Sequence, residues 1–313
     1  GVLVNGRVPK ASTLLRAGDT VEVVVPPPPS KEIVPEDIPL DVLFEDEHLI
    51  VLNKQPDIIV HPARSHLTGT MLSALAWHFR HRSKVGGELS RVGDELARPG
   101  VVHRLDRHTS GCIVFAKKDE AHWKLGHQFE HRRVEKRYLA VVQGDLGVNA
   151  EVIDLPIGPH PSREKGYREK YVVRHDELGK QSLTIARVRE RYKVETGGKP
   201  EVFSLVELEL KTGRTHQIRV HLSHLGYPIV GDDMYGGKPY LCPETGHELT
   251  RQALHATLLG FTHPITGEGM VFTAPLRGEI AELVRSLRLR SGGGERVEMM
   301  GAIVDLEQAL GHL

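Results

Sequence analysis

The apolar residues of this chain fall into short runs bounded by turn residues, interrupted by three stretches at helical spacing. His48-Leu49-Ile50-Val51-Leu52-Asn53-Lys54 is an almost unbroken apolar run, the pattern of a strand buried on both faces. A Gln55-Pro56-Asp57 turn follows. Behind Thr70, a natural helix cap, Leu72, Leu75, Ala76 and Phe79 recur at helical spacing. Residues 81–100, rich in Gly, Arg and Glu, read as a loop. Cys112-Ile113-Val114-Phe115-Ala116 predicts another strand, and the Ala121, Leu125 and Phe129 stripe predicts a helix near 119–132. Arg137 to Val142 reads as a strand. Phe203 to Leu210 alternates, with Val206, Leu208 and Leu210 expected on one face and Glu207 and Glu209 on the other. Thr215 to Leu225 predicts a helix with Ile218, Leu222 and Leu225 inward, closed by Gly226. Leu254 to Phe261 and Val271-Phe272 add strands. The mixed order shows no βαβ rhythm, so an α+β domain is expected rather than a doubly wound sheet.

The two ends read differently. Residues 1–25 form a small β unit, with a hairpin signal at Asn5-Gly6 after Val2-Leu3-Val4 and a second turn at Arg16-Ala17-Gly18-Asp19. Pro26 to Pro29 predicts a stiff polyproline segment, and polar residues continue to Pro39, so 26–39 is taken as a linker. The main domain is expected to span 40–290, and 291–313, after Ser291-Gly292-Gly293-Gly294, to be a helical or frayed tail.

Composition adds limits. The chain has 313 residues, 39% hydrophobic and 26% charged, as an ordinary soluble globular protein does. No run of about 18 apolar residues suggests a membrane span. No signal-peptide pattern opens the sequence, which starts at Gly1 and is expected to be a fragment. Two cysteines, Cys112 and Cys242, make neither a disulfide framework nor a zinc pattern, which fits a reducing, cytoplasmic setting. Net charge is zero, yet His103 to Arg137 holds nine Lys/Arg against five Asp/Glu. Lys211 to Ile229 holds three basic residues and no acidic ones. Local positive charge of this kind is what an RNA partner requires, although a merely solvated face would look similar. His216, His221 and His224 lack a companion carboxylate or cysteine set, so no metal is expected.

The densest chemistry lies in His103-Arg104-Leu105-Asp106-Arg107-His108-Thr109-Ser110-Gly111. One carboxylate stands among two arginines and two histidines, a setting that favours its ionised form and suits a nucleophile or base. Taken alone, the same setting fits a surface carboxylate held by Arg104 or Arg107. The Thr-Ser-Gly exit predicts a tight loop feeding a strand.

This nine-residue string resembles the signature of the RluA family of RNA pseudouridine synthases, the large-subunit ribosomal RNA type, in which it surrounds the catalytic aspartate. Glu135-Lys136-Arg137-Tyr138 and Thr212-Gly213-Arg214-Thr215-His216-Gln217-Ile218-Arg219-Val220-His221 resemble two further motifs of the family. Similar strings continue through Leu225 to Asp232, Leu254-His255-Ala256 and His263 to Glu268, so the likeness covers about 40–277 in order. It implies a bent, mixed, largely antiparallel sheet with flanking helices and a cleft across its middle. It implies Asp106, Tyr138 and Arg219 as catalytic residues, with Arg219 pairing Asp106 and Tyr138 holding the uracil. Arg104 would enter the space a flipped base vacates, and His103, Lys136 and Ile218 would also contact RNA. The family often carries Lys-Pro-x-Gly at the first turn. Here Pro56 comes one place later and Asp57 stands at the glycine position, so a different turn is expected. Residues 1–25 resemble the second half of an α-L RNA-binding module, and are otherwise an ordinary hairpin.

The resemblance implies isomerisation of specific uridines to pseudouridine in structured RNA by base flipping and aspartate-initiated chemistry at C1′. No cofactor is expected, nor is a membrane partner. The partner would be ribosomal RNA, or transfer RNA, and the chain a cytoplasmic monomer. The alternative is an inactive RNA-binding protein of the same fold. A carboxylate hydrolase would need a second, acidic carboxylate facing Asp106.

Overall fold

The computed structural model describes the chain apart from residues 1, 11, 24–31, 63–67, 94–97, 163, 165, 167–168, 196–197 and 312–313. Two compact units emerge, 1–32 and 33–313, so the boundary falls before 40. In the smaller unit β1 (Val2–Val4) pairs antiparallel with β2 (Val21–Val23). Asn5 and Gly6 turn the chain at φ of 51° and 74°, and Val4 and Arg7 exchange backbone hydrogen bonds across them at 2.8 and 3.0 Å, but the longer ladder of β1 runs to β2. The reason lies in the Asn5 side chain, which donates to Asp19 and accepts from the Thr20 N–H, tying the second turn to the first. The proline run 26–29 lies outside the described residues.

The larger unit runs β3 (Val42–Glu45), β4 (Leu49–Lys54), α1 (Met71–His81), β5 (Ser110–Ala116), α2 (Asp119–Glu130), β6 (Glu135–Gln143), β7 (Ala150–Asp154), β8 (Ile157–Pro159) and β9 (Tyr171–Val173). It continues with β10 (Leu183–Val194), β11 (Glu201–Leu210), α3 (Gln217–His224), β12 (Tyr240–Leu241), β13 (Glu248–Leu249), β14 (Leu254–Thr262), β15 (Gly269–Thr273), α4 (Glu279–Arg290), β16 (Glu295–Arg296) and α5 (Leu306–Leu310). The main sheet follows the order β16-β10-β11-β6-β14-β5-β4-β3, with β15 on β14 and β7 on β10. Its described pairings are antiparallel except β5 with β14, which makes it the mixed, largely antiparallel sheet expected. Among the described residues no helix is long and apolar enough to cross a membrane.

The continuous apolar run of β4 has a simple cause. Ile50 and Leu52 enter one core with Met71, Leu72 and Leu75 of α1. Leu49 and Val51 enter the opposite core with Ala121 and Leu125 of α2. A strand covered on both faces cannot alternate. The cap of α1 forms as expected, Thr70 Oγ1 accepting from Ser73 N at 3.1 Å.

Two features go beyond the sequence reading. Glu207 and Glu209 of β11 are buried on their face of the strand. Arg137 pairs with Glu209 at 2.8 Å, Arg187 pairs with Glu209 at 2.9 Å, and Arg189 pairs with Glu207. The stretch after Ser291 is no outlying tail, for Val304, Ala309 and Leu310 enter the main core. Glu207 accepts from Ile303 N at 3.0 Å and Val304 N at 3.4 Å, so the acidic face of β11 is what this segment docks on.

Candidate active site

Three adjacent strands in the middle of the sheet set the site. Ala256 of β14 registers with Gly111 of β5 on one side and Tyr138 of β6 on the other. This row places Tyr138 beside the exit of the Asp106 loop. Gly111 is required there: at φ 114° its Cβ would stand 2.2 Å from the Ala256 carbonyl oxygen.

The loop itself is held by its backbone. Thr109 N donates to Asp106 O at 3.1 Å, closing a turn. Lys54, buried at the end of β4, donates Nζ to the carbonyls of Arg107 and Thr109 at 3.0 and 2.9 Å, and to its neighbour Gln55 at 2.9 Å. Arg251 donates to the His108 carbonyl at 3.2 Å, and the His108 ring pairs with Asp57. Asp57 takes a left-handed φ of 63°, the conformation a glycine would supply at this turn. Asp106 is therefore presented by a fixed loop, with its carboxylate about one-fifth exposed.

Arg219 of α3 approaches from the other side. Its Nη1 lies 3.3 Å from Asp106 Oδ2, as the resemblance implied. Its Nε and Nη2 instead grip both oxygens of Asp232, at 2.7 and 2.8 Å. Burial works against the Arg219 charge, and Asp232 more than offsets it, raising its pKa. Its guanidinium carbon sits 4.8 Å from the centre of the Tyr235 ring, a cation–π stack. His216, in a left-handed conformation at φ 55°, bridges from Tyr235 Oη at 2.8 Å to Asp106 Oδ2 at 3.9 Å.

These groups line a small cavity of about 110 Å³, whose apolar walls include Tyr138, Ile218 and Leu254. It adjoins a cleft of about 810 Å³ that shares Asp106, Arg104 and Arg219 with it. Burial raises the Tyr138 phenol, and the nearby Asp106 charge adds to that, so Tyr138 stays protonated at neutral pH. Arg104 is exposed at the cavity mouth, its Nη2 donating to Thr215 Oγ1 at 3.0 Å. Asp106, Tyr138, Arg219, Arg104 and Ile218 are thus brought together.

His103 and Lys136 are not. His103 stacks on Phe129 with ring centres 4.4 Å apart, and its Nε2 accepts from Val114 N at 3.0 Å. Burial pushes its pKa to about 3, with Lys136 assisting. It is a neutral ring fixed between α2 and β5. Lys136 lines a separate groove beyond Leu210. The hydrolase arrangement is not favoured, since Asp106 is paired with Arg219 at 3.3 Å and Asp232, the second carboxylate on that arginine, is buried and bonded through both oxygens.

Sequence reasoning missed Lys54, Asp232, Tyr235 and the bridging place of His216. Asp232 ends the string that begins at Leu225, but its partner lies 13 positions earlier across a turn. Nothing local announces that pairing.

The RNA pseudouridylate synthase family profile matches residues 48–224. An uncharacterized RNA pseudouridine synthase of Bacillus subtilis, YlyB, is 41% identical over 92% of this chain and 86% of its own length. Ribosomal large subunit pseudouridine synthase D of Pasteurella multocida is 35% identical over 92% of this chain and 83% of its own. The solved structure of human RNA pseudouridylate synthase domain containing 1 superposes with a TM-score of 0.59 at 26% identity, covering 91% of this chain and 97% of that one. A profile over more than half the chain, and relatives this similar over nine-tenths of it, establish that this chain belongs to the RluA family of RNA pseudouridine synthases, isomerases that act on uridine in RNA.

Proposed function

We propose that this enzyme modifies uridine in structured large-subunit ribosomal RNA, with Asp106 acting at the sugar of a flipped nucleotide. The observation that carries this reading is the Asp106–Arg219 contact at 3.3 Å in a cavity walled by Tyr138, Ile218 and Leu254. A small slot with an apolar wall of Tyr138, Ile218 and Leu254 opposite polar and charged groups suits an extruded pyrimidine better than a base in a stack. The glycosidic N1–C1′ bond breaks, the uracil turns against Tyr138, and a C5–C1′ bond forms as the C5 proton leaves and N1 gains one. Arg219 holds the Asp106 carboxylate, and Arg104 at the mouth offers a guanidinium plane to the gap in the stack. The ribosomal target is supported by relatives named for the large ribosomal subunit, 35% identical in Pasteurella multocida and 39% in Xanthomonas campestris. In this reading the chain works as a cytoplasmic monomer, and residues 1–25 are the second half of an α-L module.

The test compares the protein with its Asp106→Asn variant on total RNA from a strain lacking the enzyme, pseudouridine being mapped by carbodiimide labelling and primer extension. A new stop in large-subunit ribosomal RNA, made only by the unmodified protein, supports the reading. A new stop only in transfer RNA rejects the ribosomal assignment, and no new stop rejects the activity.

A further inference from the structure

A second groove, of about 580 Å³, opens on the far side of Leu210 from the Asp106 cavity. Its floor is apolar: Phe129 and Met270 are half-buried, and Val271 is 68% exposed. Around it stand Arg132 and Arg133, in the turn after α2, and Lys136 of β6. None of these three has a carboxylate partner among the described residues. The acids of the groove are committed elsewhere: Glu135 to Arg137 at 2.6 Å, and Glu209 to Arg137, Arg187 and Lys211. The remaining field is therefore positive. Arg132 holds a left-handed φ of 57°, at the position after a helix where glycine is usual. The chain thus tolerates backbone strain to carry a guanidinium there.

The groove also adjoins the base cavity. Leu210 lines both. Lys136 Nζ reaches to within 3.7 Å of where a Cβ on Gly213 would stand, and Gly213 lines the cavity. Burial and the neighbouring Arg132 both lower the Lys136 pKa, which sets two cations side by side.

We infer that this groove is a second RNA subsite, which takes the single-stranded segment flanking the modified nucleotide. Phosphates would lie along Arg132, Arg133 and Lys136, and a neighbouring base would stack on the Phe129–Met270–Val271 floor. Cations beside a flat apolar surface are the combination that binds unpaired strands without reading sequence. The inference rests on the RNA reading of the Asp106 cavity, since the strand is threaded from there.

The test is the double variant Arg132→Ala/Arg133→Ala of the full chain, with Arg132→Lys/Arg133→Lys as the charge-keeping control. Both positions are exposed, so folding should survive, and a thermal melt checks it. Binding to a labelled oligouridylate of about 15 nucleotides is measured across a salt series. The alanine variant is expected to bind about tenfold more weakly, with a salt slope shallower by about 1 to 1.5, and the lysine variant to keep most of both. On the substrate RNA the loss should fall in KM rather than kcat. An alanine variant with unchanged affinity and unchanged salt slope overturns the inference and leaves the groove to some other partner. Because oligouridylate binding needs no turnover, the groove is judged even if no RNA is isomerised, whereas failure of the Asp106 reading shows only in the pseudouridine map.

Discussion

The guanidinium of Arg219 lies flat against Asp232, its Nε and Nη2 donating to both carboxylate oxygens at 2.7 and 2.8 Å. Both groups are nearly out of contact with water. The pair fixes the plane of the fork, and only Nη1 is left to face Asp106. Asp232→Asn keeps the shape and removes the charge. Breaking a buried pair on one side costs about 3 to 5 kcal/mol, since it leaves a charge without its partner. The variant is expected to lose unfolding free energy in that range, read as a lower urea midpoint at an unchanged slope. Its turnover should fall as well, because Arg219 is then free to turn fully onto Asp106. An unchanged midpoint would show that the pair is not what orders Arg219.

Lys54 presents a different balance. Burial pushes its ammonium down to about 7, with the Asp106 charge opposing that, while three carbonyls accept from Nζ. Only the protonated form has three N–H groups to give. Its folded pKa lies below its ordinary 10.5, so between about pH 7 and 10.5 the unfolded chain keeps a proton that the folded chain sheds. Stability from this group therefore rises with pH across that window and is flat below it. Lys54→Met strands three carbonyls and should destabilise the protein by about 2 to 3 kcal/mol at pH 7. The gap between wild type and variant should then widen towards pH 10, as read by urea unfolding at each pH. In the wild type, turnover should decline over the same range, as the deprotonated amine releases one carbonyl of the Asp106 loop. Parallel stability curves for the two proteins would refute the assignment.

His216 stands between a phenol and a carboxylate. Tyr235 Oη accepts from Tyr171 N at 3.0 Å, and burial raises the phenol to about 12, so at neutral pH it keeps a proton that it can give to His216 Nδ1, 2.8 Å away. The pKa of His216 is lowered, chiefly by burial, so the ring is neutral, and with Nδ1 as the acceptor its own proton is expected on Nε2, 3.9 Å from Asp106. Tyr235→Phe removes the donor that selects this tautomer. Single-turnover rates should fall about tenfold, the scale of one misdirected hydrogen bond. His216→Gln keeps a side-chain N–H and should lose less than His216→Ala. A full rate in Tyr235→Phe would mean that the tautomer is set by something else.

What the sequence made legible was local chemistry and motif strings. Thr70 caps α1 because a hydroxyl at that position meets the Ser73 N–H whatever surrounds it. Asp106, Tyr138 and Arg219 lie far apart in the chain, and their motifs anticipated that they meet at one cavity. The burial of Glu207 and Glu209 was not legible, because period-two alternation reports only residue polarity. It carries no record that Arg137, Arg187 and Arg189 would neutralise that face and the segment near Val304 would cover it. His103 misled in the opposite way, since its place in a charged string suggested RNA while its ring serves the packing of Phe129. Lys54 read as the polar end of a strand, and its three acceptors come from the turn after it and the distant Asp106 loop.

The junction of β5 and β14 gives the sharpest stability contrast. Gly111 lies at φ 114°, a region closed to side chains, and a Cβ there would overlap the Ala256 carbonyl oxygen and nitrogen at 2.2 and 2.6 Å. Neither atom can yield, because Ala256 is paired on both sides, to Gly111 and to Tyr138. Gly111→Ala must therefore part the two strands or distort the loop that carries Asp106, and a loss of more than about 3 kcal/mol is expected. Gly126, inside α2, meets no atom within 4 Å of its would-be Cβ and has no positive φ. There the same substitution should stabilise by about 0.5 to 1 kcal/mol, through helix propensity alone. Thermal melts of the two variants should move in opposite directions, with activity lost only in the first. If Gly111→Ala melted with the wild type, the close approach of β5 to β14 that places Tyr138 beside the Asp106 loop would be wrong.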